Sequence, residues 1–545
     1  MRAQALSTAA ARPFDLIVVG AGVNGAGIAR DAAMRGLDVL LLDKGDFSAG
    51  TTSWSTRLVH GGLRYLEHAE VALVRESLRE RERLLHIAGH LVQPIAMLIP
   101  IYERDRRGPR LIRLGMAAYD ALSLGKSLER HHLLSVEALL EREPGIEPEG
   151  LKGAALYYDA QVEFAERLAV ENALSARDNG ALTITYARVD RIVVEESVTR
   201  GVEFLDLLGG ARHTAHGGVV VNAAGPWVDR VLAGAPREAE RRVGGTKGSH
   251  LVVGGFPGAP REALYVEAAQ DGRPFFVVPW NGMYLIGTTD FVYEGDLDHV
   301  EAEDREVDYL LAETNRVLPA AGLDRDSVLY TYAGVRPLPH VDDGDAGAIT
   351  RRHVVHDHAP DLAAGLLSIV GGKLTTYRSL AAEAVDLVLR RLGRPRSRCR
   401  TADVPLPGGS TGPFEHFATS FRATSGLDAE TADRLLRVYG TRAAGVAELA
   451  EGDEDLRSPL DGAPGTLAAE VVYAVLHEEA QTLTDVLMRR TMVGLGPLAG
   501  VGPDAAAAAV AVRHLGWSEE RAAAEVEAFR SYVRRFRPRS LAESA

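Results

Sequence analysis

The chain has 545 residues, with 61 Lys or Arg against 75 Asp or Glu, for a formal net charge of −14 at pH 7. That balance argues against general affinity for nucleic acid. The single cysteine, Cys399, excludes an intrachain disulfide, a Cys-ligated iron–sulfur cluster and a c-type haem attachment. The length allows two or three domains. Met1–Pro13 lacks the apolar centre of a signal peptide, and the longest apolar stretch, near Leu91–Tyr102, is interrupted by Gln93, Pro94 and Pro100. A cytoplasmic protein is expected, with any membrane contact peripheral.

The stretch from Asp15 to Asp43 reads strand, turn, helix, strand. Leu16–Val19 is an apolar run ending at Gly20, and Gly20, Gly22 and Gly25 fit G-x-G-x-x-G. Gly20 permits a tight turn, Gly22 lets backbone approach a pyrophosphate, and Gly25 lets the helix pack on the strand. The helix N-terminus faces the phosphates. Gly36 ends the helix, Val39–Leu42 is the second strand, and Asp43 stands where a carboxylate accepts ribose hydroxyls. The motif alone does not separate NAD from FAD.

A polar loop follows, then a charged helix with Val71, Val74, Leu78 and Leu85 on one side and Arg81 interrupting the stripe. Ile112–Leu124 is a further helix, either core-packed or lying on a membrane surface. Residues 151–225 alternate helix and strand, with Val219–Trp227 a buried strand ending in small residues. Residues 245–340 are strand-rich. Leu366–Val370 is again a strand, and the sequence after it turns helical. Pro405, Pro407, Gly408 and Gly409 mark a linker, beyond which the pattern is helical and the basic tail SYVRRFRPRS reads as a solvated end. The fold class expected is α/β plus α. A discontinuous Rossmann-like dinucleotide domain (14–80, 150–240 and 341–398) carries an inserted, mixed or antiparallel β-sheet domain (81–149 and 241–340) and an appended helical domain (410–540).

Several polar clusters are candidates for chemistry. Gly371-Gly372-Lys373 ends a strand and Thr375-Thr376 opens a helix, a second anion site suited to a reduced flavin. His60-Gly61-Gly62-Leu63-Arg64-Tyr65 gathers an imidazole, a guanidinium and a phenol. Lys247–His250, Thr288–Asp290, Arg336 in GVRPL and Arg351 in AITR are further candidates. No zinc spacing, nucleophile elbow or P-loop is present. Gly494-Leu495-Gly496 follows helical sequence, so no second nicotinamide site is evident. If the first site holds FAD, electrons are expected to leave to a quinone or oxygen.

These segments together resemble the FAD-dependent, respiratory glycerol-3-phosphate dehydrogenase family. DLIVVGAGVNGAGIARDAA, LVHGGLRYLE, VNAAGPWV, KGSHLVV, LIGTTD, YAGVRPL, AITR and GGKLTTYR occur in the family's order over about residues 14–400, and YAVLHEEAQTLTDVLMRRT extends the likeness into the tail. Asp43 stands where some relatives carry Glu; either holds a ribose.

The resemblance implies a cofactor-binding set of Gly20, Gly22, Gly25, Asp43, Ser53, His60, Gly61, Ala224, Gly225, Trp227, Gly371, Gly372, Lys373, Leu374 and Thr375, with FAD as cofactor. It implies a substrate phosphate held by Arg64, Arg336, Arg351 and Lys373 with Tyr65 alongside. The expected reaction is oxidation of sn-glycerol 3-phosphate to dihydroxyacetone phosphate by hydride transfer from C2 to flavin N5. His60 is the first choice of base and His250 the second; Lys373 and Arg336 stabilise the developing oxyanion. The expected partners are quinone as acceptor, the inner face of the cell membrane as a peripheral surface, and a second copy in a homodimer; no nucleic acid is expected. The rivals are an oxidase that makes hydrogen peroxide from oxygen, an amine or amino-acid oxidoreductase, a non-catalytic flavoprotein scaffold, and an RNA-modifying flavoprotein.

Overall fold

Six strands line up edge to edge around the opening apolar run. The computed structural model describes residues 2–66, 70–123, 125–341 and 352–537. In it, Phe14–Val19 lies between Arg212–Asn222 and Val39–Leu42, both parallel to it. Leu366–Val370 extends the parallel array on one side and Leu182–Ile184 on the other, with Val354–Asp357 antiparallel at the edge. The central strands Phe14–Val19 and Val39–Leu42 and the neighbouring Leu366–Val370 are apolar on nearly every position because helices cover one face and further structure covers the other.

The helices Val23–Met34, Ala165–Asp178 and Tyr377–Arg391 supply one layer, with Ile28, Ala29, Leu174 and Ala384 fully or almost fully buried against Leu16, Val18 and Leu41. Close approach there depends on small residues: a Cβ on Gly27 would lie 2.7 Å from the Tyr377 ring. The opposite face is covered by a meander of Ala187–Glu195 and Val198–Asp206 and by a helix, Arg2–Ala11. That helix went unread in the sequence; it buries Leu6 and Ala9 and pairs Arg2 with Asp206 at 2.6 Å.

The second sheet has ten strands and is largely antiparallel. Val243–Val253 pairs along its length with Val328–Pro339, and Val92–Tyr102 with Leu151–Val162. The 150–240 segment is therefore divided: its first strand belongs to the second sheet and its later ones to the first. Even the dipeptide Leu58–Val59, within the expected first segment, pairs with Leu151–Val162. Asp304–Val317 packs on one face of this sheet. The other face meets the C-terminal helices, whose core includes Leu435, Val472, Leu487 and Phe529.

The C-terminal helices are fixed to the dinucleotide sheet by buried ion pairs. Asp46 accepts from Arg489 Nε at 2.7 Å and from both Arg490 nitrogens at 2.7 and 2.8 Å. Glu478 accepts from Arg167 at 2.6 and 2.8 Å and from Arg442 at 2.8 Å. Burial alone would raise the Glu478 pKa; Arg167 and Arg442 outweigh it and hold it at about 2.

Candidate functional site

The site grows from two glycine turns. At the first, Gly20 has φ of +101°, and a Cβ there would lie 2.6 Å from the Ala223 carbonyl oxygen. A Cβ on Gly25 would lie 1.8 Å from the Gly20 carbonyl oxygen. Neither position admits a side chain, so the strand–helix turn stays tight and open to an anion at the helix start. Asp43 closes the adjacent strand and accepts from Ala21 N at 2.5 Å and Gly45 N at 2.8 Å. Burial raises its pKa in spite of those bonds.

At the second turn Gly371 and Gly372 have φ of +76° and +97°. Three hydrogen bonds tie this turn to the helix of the first turn, to the His60 loop and to the strand Val328–Pro339. Asn24 Nδ2 donates to the Gly371 carbonyl at 3.4 Å, the His60 amide donates to Thr375 Oγ1 at 3.2 Å, and the Gly371 amide donates to the Pro337 carbonyl at 2.7 Å. Elements more than 300 residues apart thus share one wall.

A cleft of about 810 Å³ runs between the turns. Gly20, Gly22, Asp43, Ala224, Gly225 and Trp227 line one part of it. Gly371, Gly372, Lys373, Leu374, Thr375, His60 and Tyr65 line another, facing His250 and Arg336. Ser53 stands behind the wall, its hydroxyl donating to the Ser48 carbonyl at 2.6 Å. Gly61 is also behind it, where a Cβ would meet the Tyr119 hydroxyl at 2.2 Å. Gly25 supports the turn from beneath. The side chain of Arg64 and the whole of Arg351 lie outside the described residues.

The polar end of the cleft is built of cations and neutral imidazoles. Lys373 donates to Ser77 Oγ at 2.5 Å and sits 4.5 Å over the Tyr65 ring. It forms no ion pair among the described residues, and burial lowers its pKa to about 7. His60 lines the cleft, and surrounding atoms shield its imidazole from water. That desolvation, then the Lys373 charge, lowers the His60 pKa to about 4. His250 is buried, stacked on Tyr332 at 4.7 Å, with Nε2 2.9 Å from Thr56 Oγ1. Burial first, then Arg336 and Arg57, puts its pKa well below the ordinary range. Arg336 donates to Asp290 at 2.9 Å and to Thr288 Oγ1 at 3.1 Å.

Not every polar cluster in the sequence serves the cleft. Lys247 is buried against Glu303 and Glu306 at 2.7 and 2.8 Å, and Ser249 and Thr289 donate to the same Glu306. Other residues matter more than the sequence suggested. Asp159, buried in the strand Leu151–Val162, accepts from Arg81 at 2.5 Å, from the Tyr119 hydroxyl at 2.9 Å and from the Gly61 amide at 3.2 Å. The break that Arg81 makes in an apolar stripe was the one signal of it. Val71, placed on that stripe by spacing, is instead 48% exposed.

The tail departs from expectation too. Tyr532, Arg535 and Phe536 line the cleft, and the Phe536 ring packs tilted against Trp54 with centroids 5.4 Å apart. Val533 and Phe536 are buried among the arginines of this segment, so the tail is anchored rather than solvated.

The cradle fits an extended dinucleotide. It excludes side chains at the phosphate turn, presents Asp43 at the ribose position, and leaves Asn24 Oδ1 and His250 Nδ1 buried without a partner among the described residues. A Rossmann-like sheet with this cleft, joined to a second sheet that supplies basic groups, defines the class of FAD-dependent oxidoreductases. Residues 15–378 match the family model described as FAD dependent oxidoreductase, and residues 399–522 the one described as C-terminal domain of alpha-glycerophosphate oxidase.

Among curated proteins, a glycerol-3-phosphate dehydrogenase of Synechocystis is 45% identical over 95% of this chain and 96% of its own length. An aerobic glycerol-3-phosphate dehydrogenase of Staphylococcus haemolyticus is 36% identical over 88% and 86%. Among solved structures, the glycerol-3-phosphate dehydrogenase of Bacillus halodurans complexed with FAD is 29% identical, with a TM-score of 0.80 over 98% of this chain and 97% of that one. The chain belongs to the FAD-dependent glycerol-3-phosphate dehydrogenase family, and FAD is its cofactor.

Proposed function

We propose that this protein oxidises sn-glycerol 3-phosphate at C2 to dihydroxyacetone phosphate and passes the electrons to a quinone. The observation that carries the reading is the juxtaposition of Lys373, which forms no ion pair among the described residues, with the neutral imidazoles of His60 and His250 in one cleft. A phosphorylated polyol needs a cation for its phosphate and a neutral base for its hydroxyl. FAD, when bound, would supply the hydride acceptor for the C2 hydrogen.

In this reading Lys373, Arg336, Arg64, Arg351 and Tyr65 hold the substrate. His60, whose ring nitrogens have no hydrogen-bond partner among the described residues, takes the C2 hydroxyl proton. Burial is the larger cause of the low basicity of His60 and the Lys373 charge the smaller; an arriving phosphate dianion offsets the Lys373 part and so raises the proton affinity of the imidazole. Arg336 steadies oxygen charge as the proton leaves. His60→Asn is expected to lower kcat by about 10²–10⁴-fold with KM little changed. An unaltered kcat in His60→Asn beside a loss of that size in His250→Asn would move the base to His250.

Oxygen is the second reading for the acceptor, since residues 399–522 match a domain described from an alpha-glycerophosphate oxidase. Comparing quinone-analogue reduction with hydrogen peroxide yield separates the two. Among the described residues no helix is long and apolar enough to cross a membrane. The helix Pro109–Leu122 buries Ile112, Met116 and Tyr119 but exposes Leu111 and Leu114 beside Arg110 and Arg113. That face is the proposed contact with an anionic lipid surface. Leu114→Glu should abolish co-flotation with phosphatidylglycerol vesicles; undiminished flotation would rule the helix out.

A further inference from the structure

A cluster of metal-ligating side chains lies away from the cleft and takes no part in the chemistry above. His356 sits in the edge strand Val354–Asp357, His358 follows it, and Asp361 lies in the loop that leads to Leu366–Val370. None of the three lines the cleft. One ligand atom from each lies within 4.8 Å of the others, and among the described residues this is the one group of its kind.

The distances have a particular value. His356 Nε2 and His358 Nδ1 each lie 3.3 Å from Asp361 Oδ2. Charge-assisted N–H···O bonds to a carboxylate run at about 2.7–2.9 Å, so both contacts are long for hydrogen bonds. A tetrahedral ion with ligand bonds of about 2.0–2.1 Å sets its ligands about 3.3–3.4 Å apart along each edge.

The surroundings also hold the ligands still. His358 is fully buried, and its Nε2 lies 2.9 Å from Ser368 Oγ. With the Nε2 proton given to that hydroxyl, the lone pair of Nδ1 points at Asp361, the arrangement in which a ligating histidine is oriented by a second partner. The His358 carbonyl collects the amides of Asp361, Leu362 and Ala363 and so fixes the loop. His356 and Asp361 are 28% and 34% exposed, which leaves an entry path and room for a water as fourth ligand. One competitor is present: Arg242 Nη2 lies 2.6 Å from Asp361 Oδ2, and its Nη1 lies 3.2 Å from Glu240.

We infer that His356, His358 and Asp361 form a binding site for a divalent transition cation of the zinc class, clamping the edge strand and its following loop. Two imidazoles and a carboxylate, with both imidazole–carboxylate edges at tetrahedral spacing, suit Zn²⁺ over Mg²⁺ or Ca²⁺, which take all-oxygen sets at higher coordination. Arg242 holds the carboxylate in the metal-free state and swings to Glu240 when the cation enters.

The test uses FAD-loaded, full-length protein stripped with a chelator and titrated with ZnCl₂ by calorimetry. One equivalent is expected to bind. His356→Ala and Asp361→Asn should each weaken it at least about tenfold. Arg242→Ala, which removes the competitor, should tighten it. Titration with Co²⁺ should give the intense visible absorption of tetrahedral cobalt, to the red of the flavin bands, and Zn²⁺ should erase it. Flavin content and glycerol 3-phosphate turnover of His356→Ala should match the parent. No stoichiometric Zn²⁺ binding, equal affinity in both ligand variants, or only the weak spectrum of octahedral cobalt would overturn the inference. If a ligand variant fails to fold, the cobalt spectrum of the parent and the direction of change in Arg242→Ala decide.

Discussion

Lys373 is the residue on which the electrostatics of the cleft turn. Its pKa of about 7 in the free protein lies below the ordinary lysine value because burial disfavours the ammonium. A bound phosphate dianion restores the charged form. Substrate binding above about pH 7 must therefore take up a proton, and KM should rise by up to about tenfold per pH unit there in the parent and stay flat in Lys373→Met. The steady-state pH profile of KM checks this. A parent profile as flat as that of the variant would remove Lys373 from phosphate binding. At the first turn the prediction is steric: Gly25→Ala places a Cβ 1.8 Å from the Gly20 carbonyl oxygen, so that variant should purify without flavin absorbance.

Individual residues were unequally legible in the sequence. Gly20, Gly25 and Asp43 announce themselves because the tight turn and ribose contact restrict residue type at fixed spacing. Ser53 does not line the cleft, and Lys247 belongs to a buried carboxylate network with Glu303 and Glu306, because short polar motifs look alike whether they face a ligand or a buried partner.

Among the elements, the strand Leu151–Val162 is the instructive one. Its Asp159 joins Arg81, Tyr119 and the Gly61 amide, so one carboxylate ties a helix, a second helix and the His60 loop together behind the cleft. Removing it strands a buried guanidinium, and Asp159→Ala should cost about 3–5 kcal/mol of stability, read as a lowered urea midpoint. A change under about 1 kcal/mol would show that Arg81 reaches water in the variant. The reading of alternating helix and strand over 151–225 did not say to which sheet this strand belongs; pairing with Val92–Tyr102 is a long-range event that local pattern does not encode. Arg2–Ala11 escaped notice for a related reason: an Ala-rich segment has little amphipathic contrast, and its position rests on Arg2 reaching Asp206.

For the molecule as a whole, the C-terminal helices complete the site. The segment YAVLHEEAQTLTDVLMRRT, flagged by likeness, supplies Glu478, Arg489 and Arg490, the groups that lock those helices to Arg167 and Asp46. Because Glu478 titrates at about 2 in the fold and near the ordinary glutamate value when unfolded, its contribution is present in full above about pH 4.5 and is lost as pH falls toward about 2. His60, held at about 4, works in the same direction: the unfolded chain binds its proton first as pH drops below about 6.5, so stability falls with pH there as well. The melting temperature of Glu478→Gln should be lower than the parent's at pH 7 and should depend less on pH between about 4.5 and 2. Parallel curves would mean that the pair contributes nothing specific to docking.

The measurement that bears most directly on the proposed activity is anaerobic mixing of the flavin-loaded protein with sn-glycerol 3-phosphate while the oxidised-flavin absorbance is followed. The account predicts bleaching with sn-glycerol 3-phosphate, none with glycerol or inorganic phosphate alone, and recovery of colour on adding a quinone analogue. A spectrum unchanged by saturating glycerol 3-phosphate in protein that retains its flavin would contradict it.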